Sequence, residues 1–300
     1  MRVNPNQVPN ILADLQTSET TLDTALQEVS TGKSVNEPSD NPAAAADLVE
    51  NTIESGNVDQ YTKNISTILT NVQSAGSALS SVVTSLTSAV SLGTEAANGT
   101  NNSSDLASIT SQVESLLTSV ISDANTSVSG TYLFGGTAET TAPYTADASS
   151  ATGYTYNGNS DTNSVAVGDN YNVQINLPGS QIFSNSTTNV IGSLSSLVTA
   201  LKSGNTTSIG TAVSGVDTAL NYVSQQQEFY SNTQSQLNSQ ETYLQSDTVT
   251  LTSQANNLVG VDEAKAATEL SQAETDNSAA LAAAAKVLPN TLLNYLAVPS

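Results

Sequence analysis

The chain contains no cysteine and no histidine among its 300 residues. Thiol nucleophiles, Ser-His relays and the common zinc sites are therefore excluded. No disulfide can staple the fold. Tryptophan is also absent, methionine occurs once, and aromatics make up only 4% of the chain. That is little for a thick globular core, where aromatic rings supply much of the buried area. Cations are scarce: Arg2, Lys33, Lys63, Lys202, Lys265 and Lys286 stand singly against 27 acidic residues, giving a net charge of −21. Nucleic acid is displaced as a partner, since phosphate recognition needs clustered cations. An anionic membrane surface is disfavoured for the same reason. The opening Met1-Arg2-Val3-Asn4-Pro5 lacks the apolar run of a cleavable leader. The longest apolar stretch, residues 279–285, is too short to span a bilayer. Any export is expected to use a route that reads no conventional leader.

What the chain does have is heptad spacing, which sets one stripe of side chains on one helix face. From Ile209, steps of seven reach Val216, Val223, Tyr230, Leu237, Leu244, Leu251 and Leu258. A helix over 209–258 would be about 75 Å long at roughly 1.5 Å per residue. A second stripe runs from Val58 through Tyr61, Ile65, Ile68, Val72, Ala75, Leu79, Val82 and Leu86 to Ala89, in alternating steps of three and four. A third follows the polar break at 99–104: Leu106, Ile109, Val113, Leu116 and Val120. Amphipathic helices cannot shield their stripes alone, so these are expected to pack as a bundle. Within the long rod, the interleaved Gln227, Gln234 and Glu241 are polar. They read either as tolerated half-buried positions or as a deliberately weak seam that permits sliding.

Both ends carry stripes of their own. Val8, Leu15, Leu22 and Val29 recur by sevens with Leu12 and Leu26 beside them; Leu281, Leu288 and Tyr295 recur likewise near the end, with Leu270 and Ala284 alongside. Between the first stripe and the second rod, Asn36-Glu37-Pro38-Ser39-Asp40-Asn41-Pro42 must interrupt the helix. The middle changes period. Tyr154 and Tyr156, then Val165 and Val167, then Tyr171, Val173, Ile175 and Leu177 alternate by two between Gly158, Gly168 and Pro178-Gly179, as short β-strands do. A shorter amphipathic helix over 190–201 leads back to the long rod.

Two motifs imitate ligand sites. Thr31-Gly32-Lys33-Ser34 resembles the tail of a phosphate-binding loop, but the required earlier glycine is Gln27 and no strand precedes it. A helix-ending turn is the better reading. Asn157-Gly158-Asn159-Ser160-Asp161 imitates a calcium loop, but its sixth position is Thr162 and its twelfth Gly168. A polar turn is expected there. No catalytic, cofactor-binding or metal-binding residue is expected, and the chain reads as a structural protein rather than an enzyme.

Four segments resemble the flagellin superfamily, in particular its hook–filament junction members: Met1–Asn6, Ser30–Ala45, Gly130-Thr131-Tyr132-Leu133-Phe134-Gly135-Gly136-Thr137, and Pro289-Asn290-Thr291-Leu292-Leu293-Asn294-Tyr295-Leu296. The resemblance implies a structural subunit of the bacterial flagellum, outside the cell, exported unfolded by the flagellar secretion apparatus without a cleaved signal peptide. Its implied partners are other flagellar hook-associated proteins and flagellin, further copies of itself in a ring, and an export chaperone on the C-terminal region. Filament flagellin is the alternative within that class; an exported coiled-coil adhesin binding through its β insertion is the alternative outside it.

The expected fold is mainly α: a long antiparallel coiled-coil-like helical bundle formed by both chain ends, with a small inserted β domain. Residues 1–40 plus 262–300 are expected to form a terminal helical assembly region, 41–137 plus 188–261 a long-helix bundle, and 138–187 a small β-rich outward-facing domain. The expected assembly interface comprises Val8, Leu12, Leu15, Leu22, Leu26, Val29, Leu281, Leu288, Leu292 and Tyr295. The two terminal stripes are expected to pair, and to order fully only among neighbouring copies.

Overall fold

In a computed structural model, the backbone is described for residues 7–296 and side chains for residues 9–286. Along the chain come α1 (Gln7–Thr31), α2 (Pro42–Ala97), α3 (Ser103–Ala124), β1 (Ser127–Val128), β2 (Thr131–Tyr132), β3 (Tyr144–Ala146), β4 (Tyr154–Tyr156), β5 (Ser164–Gly168) and β6 (Tyr171–Gln174). Then follow α4 (Gly179–Ile182), α5 (Val190–Ser203), α6 (Thr206–Val259) and α7 (Glu263–Leu296). The chain divides into two compact units: residues 1–57 with 247–300, and residues 58–246.

The mainly α fold built from both ends, with short strands between, is as the periodicity predicts. The long rod occupies 206–259 where the stripe spans 209–258. The second rod is longer than its stripe, starting at Pro42. A helix tolerates proline at its first position, where the missing N–H has no intrahelical partner to lose. The side chain of Asn41 accepts the N–H of Ala44 at 3.2 Å and caps that start.

In the unit of residues 58–246, the heptad positions form the core. Val58, Ile65, Ile68, Val72, Ala75, Leu79, Val82, Leu86 and Ala89 are buried on α2, as are Ile209, Val216, Val223, Tyr230, Leu237 and Leu244 on α6. Part of α2 is apolar and long enough to pass for a membrane span by composition; the seam accounts for that composition. The interleaved Gln227, Gln234 and Glu241 are half-buried. Asn102 and Asp105 close a capping box at the start of α3, and Gly204 ends α5 at φ +65°. α3 packs on α5, with Lys202 and Glu114 paired at 2.7 Å on the surface.

The three two-stranded sheets are all antiparallel: β1 with β2, β3 with β4, and β5 with β6. Scarce as they are, aromatics gather here. Phe134 meets Phe183 edge-on at 5.4 Å between centroids and Tyr230 at 6.3 Å, while Tyr144 meets Phe183 at 5.9 Å. The buried hydroxyls find acceptors, as low-dielectric surroundings demand: Tyr144 donates to Gly179 O at 2.9 Å, and Tyr156 to Phe134 O at 3.0 Å. Burial drives the Tyr144 and Tyr230 hydroxyls far above the usual phenol range. Gly136 has φ +75°, and a Cβ there would collide with Asn159. Asn159 itself takes the N–H of Thr137 at 2.9 Å and donates to Thr137 Oγ1 at 2.6 Å. The segment that imitates a calcium loop is thus a turn fastened to the chain's own loop.

Phe134→Ala is expected to destabilise this unit by about 3–5 kcal/mol in reversible chemical denaturation, because it leaves a cavity against the Phe183 and Tyr230 rings. A second expectation concerns pH. Asp147 accepts hydroxyl bonds from Ser149 and Thr155, each at 2.6 Å, and the Ser149 N–H at 2.9 Å. With the Ser149 hydroxyl bond the largest cause, its carboxyl is lowered to about 2. A depressed acid stabilises above its unfolded value and loses that contribution as pH falls through the folded one. Amides of 144–156 should therefore stay protected at pH 4 and lose protection near pH 2, as hydrogen exchange would measure.

Candidate assembly interface

The segment between α1 and α2 fixes how the terminal helices meet. Gly32 takes φ +69°, closing α1, and its N–H bonds Glu28 O at 2.9 Å. The chain then crosses the α6–α7 connection: Ser34 N–H donates to Val259 O at 2.7 Å, Val261 N–H donates to Gly32 O at 3.1 Å, and Lys33 bridges Gly260. Beyond it, one carboxylate oxygen of Asp40 accepts the N–H groups of Glu37 at 2.8 Å and Asn36 at 2.9 Å, which hold its carboxyl below the usual range. The Lys33 N–H is taken by Thr31 Oγ1 at 3.2 Å and the Ser34 N–H by Val259. Both donors that a phosphate would need are spent, so the phosphate-loop mimic is a helix-ending joint.

Because α1 ends and α7 begins at this joint, the two helices run antiparallel and pack together. Their seam differs from the expected pairing of leucine stripes. Ala25, Ala266, Ala273 and Ala284 are the buried positions, with Ala266 fully enclosed. Leu15 and Leu22 are half-buried, whereas Leu12 remains 51% exposed, Leu26 46%, Val29 44% and Leu281 50%. The shared face is therefore mixed, with the alanines fully covered, Ile11, Leu15, Leu22 and Leu270 half-buried, and Leu12, Leu26, Val29 and Leu281 on its flanks. The alanines at 266 and 273 are a heptad apart, a signal that a search for large apolar residues passes over. Val8 lies on α1, and Leu288, Leu292 and Tyr295 on α7, but their side chains fall outside the described residues.

The same pair holds unfinished polar business. Among the described residues, Ser18 Oγ on α1 and Asn277 Oδ1 on α7 are buried without a hydrogen-bond partner. By contrast, the hydroxyls of Thr17, Thr20, Thr21 and Thr24, which line an open trough with Glu269 and Asp276, bond back to carbonyls four residues earlier in their own helix. Across α2 and α6 in this unit, buried Asn51 donates to Leu251 O at 3.1 Å. The arrangement offers cohesion through packing; among the described residues no cluster of ligands suited to a metal ion is present.

Comparison with known proteins agrees with that picture. Residues 3–139 match the bacterial flagellin N-terminal helical region, and residues 213–296 match the flagellin C-terminal helical region. The chain belongs to the flagellin superfamily, structural proteins whose two ends supply the helices. Within it the likeness is to the junction members. The chain is 30% identical over 166 residues to flagellar hook-associated protein 3 of Escherichia coli, a match covering 55% of this chain and 51% of that protein. It thus spans about half the length of that curated relative. The solved flagellar hook-associated protein from Vibrio parahaemolyticus superposes with a TM-score of 0.67 at 22% identity, covering 74% of this chain and all of that one. FlgL of Bacillus cereus gives 0.60 at 23% identity, covering 69% and 99%. At those identities the two structures speak for the fold alone.

The seam assignment makes opposite predictions for two kinds of substitution. Leu12→Ser or Leu281→Ser should change the stability of the free chain by no more than about 0.5 kcal/mol, as at other exposed positions. Ala266→Leu should destabilise the terminal pair by about 1–3 kcal/mol through overpacking. Urea denaturation followed by a probe on α7 distinguishes them.

Proposed function

We propose that this chain is a structural subunit of the bacterial flagellum that joins hook-side proteins to the filament, assembling through its terminal helices. The observation that carries this reading is the alanine seam of α1 and α7, which leaves Leu12, Leu26, Val29 and Leu281 on the flanks of the pair. Covering the remaining half of each such side chain contributes about 0.7–1.5 kcal/mol. The interface is taken to include Val8, Leu15, Leu22, Leu288, Leu292 and Tyr295 as well, and copies of the chain close into a ring. Family membership and the likeness to hook-associated protein 3 support a flagellar location outside the cell. On this reading the neighbours are other hook-associated proteins on one side and flagellin on the other. An export chaperone holds the C-terminal region, and passage through the flagellar secretion apparatus occurs unfolded, which a chain without disulfides permits.

Deleting the gene should leave a completed hook and release flagellin monomers into the medium; a strain that spills no flagellin would instead make the chain the filament subunit. At the level of the interface, the triple variant Leu12→Ser, Leu26→Ser, Leu281→Ser should be exported and fold, yet fail to enter the appendage in a pull-down of isolated hooks. Limited proteolysis of the free chain should cut within α1 and α7 before α2 or α6. Termini as resistant as the long helices would contradict assembly-dependent ordering.

A further inference from the structure

Within the unit of residues 58–246, the β5–β6 hairpin does more than extend the loop region. Its strands pair Ser164 with Gln174, Val165 with Val173 and Ala166 with Asn172, and then the register shifts so that Gly168 faces Tyr171. Val167 is the residue left out of the ladder. A bulge of this kind frees a backbone group that regular pairing would occupy.

The freed carbonyl is used. Gln240 of α6 donates its side-chain N–H to Val167 O at 3.0 Å. The preceding carbonyl, Ala166 O, accepts the side-chain N–H of Asn64 on α2 at 3.0 Å. Through these two carbonyls one short strand offers one acceptor to each helix of the seam. The turn adds a third tie: Tyr61 of α2 donates its hydroxyl to Asp169 at 2.9 Å. The hairpin's own apolar side, Val167 and Val173, is buried. Gly168 lies close enough that a Cβ there would stand 3.0 Å from the Gln240 side-chain nitrogen. Ten residues before Gln240 on the same helix, Tyr230 Oη accepts the N–H of Leu177 at 3.1 Å. The segment leaving β6 is therefore fixed to α6 at a second level, roughly 15 Å away along the helix.

Between those two levels stands Gln234, and Glu241 follows directly after Gln240; both are half-buried polar positions beside the buried Tyr230, Thr233, Leu237 and Leu244. A seam with polar members resists sliding less, because displaced contacts lose little apolar burial.

We infer that the β5–β6 hairpin is a register lock: a splint tied to α2 through Tyr61 and Asn64 and to α6 through Gln240, which holds the two antiparallel helices in axial register where their own seam is weakest. Displacing one helix along the other by even a single turn, about 5.4 Å, breaks the ties on one side, whichever helix moves.

The test uses the full chain carrying Tyr61→Phe, Asn64→Ala and Gln240→Ala together, with Gly168→Ala as an independent single variant that wedges a methyl group against Gln240. Hydrogen–deuterium exchange by mass spectrometry is read over residues 58–72 and 230–246, with α3 and α5 as internal references. The lock predicts exchange in both helix segments faster by about tenfold than in the parent chain, through local opening, in the triple variant and in Gly168→Ala alike, with α3 and α5 unchanged. Parent-like exchange in 58–72 and 230–246 would overturn it, whether the hairpin's own amides are released or stay protected. Uniform acceleration that includes α3 and α5 would also overturn it, by making the hairpin a part of global stability.

Discussion

A helix can bury only the stripe it turns toward its neighbour, and in the terminal pair the fully buried members of that stripe are alanines, with Ile11, Leu15, Leu22 and Leu270 half-buried beside them. The rest follows from this choice. Ala25, Ala266, Ala273 and Ala284 bring α1 and α7 together through small contacts. Leu12, Leu26, Val29 and Leu281 are thereby left with half their surface in water. The net charge of −21 sets free copies against one another. Each copy also carries an edge whose apolar area gains only when something else covers it.

The other unit solves a different problem with different means. There the seam takes large residues, with Ile65, Leu79, Val82, Leu86, Val216, Val223 and Leu237 essentially inaccessible. The few aromatics gather where the strands meet the helices, each buried hydroxyl satisfied by a backbone group. Short strands that would be marginal alone acquire their place from those rings and from side-chain bonds to α2 and α6. The chain therefore combines a unit that is complete in itself with one whose surface invites company.

Much of this was legible in the residues because periodicity is a direct physical signal. Every heptad position from Ile209 to Leu251 is buried. The period-two runs at 154–156 and 165–167 fall on strands, whereas the run from Tyr171 to Leu177 is strand only as far as Gln174. The joint at 30–45 was recognisable from its prolines and turn formers. What escaped was set by tertiary contact. The start of α2 at Pro42 needed the Asn41 cap to be seen as a beginning rather than a break. The short β1–β2 pairing carries no period at all. In the terminal helices Ala284 stood beside the expected stripe, but Ala25, Ala266 and Ala273 did not, since a small residue at a seam has the same composition as a small residue anywhere else. The aromatic cluster joins positions 134, 144, 183 and 230, and nothing local announces that they converge.

Because the chain has no native cysteine, a single thiol reports on one place without interference. The central claim is that the flanks of the α1–α7 pair are open in the free subunit and covered in the assembled appendage. Leu12→Cys and Leu281→Cys chains, labelled with a maleimide first as free protein and then within isolated appendages, test it most directly. The account predicts rapid labelling of both thiols when free and strong protection of both after assembly. Equal labelling in the two states would contradict it.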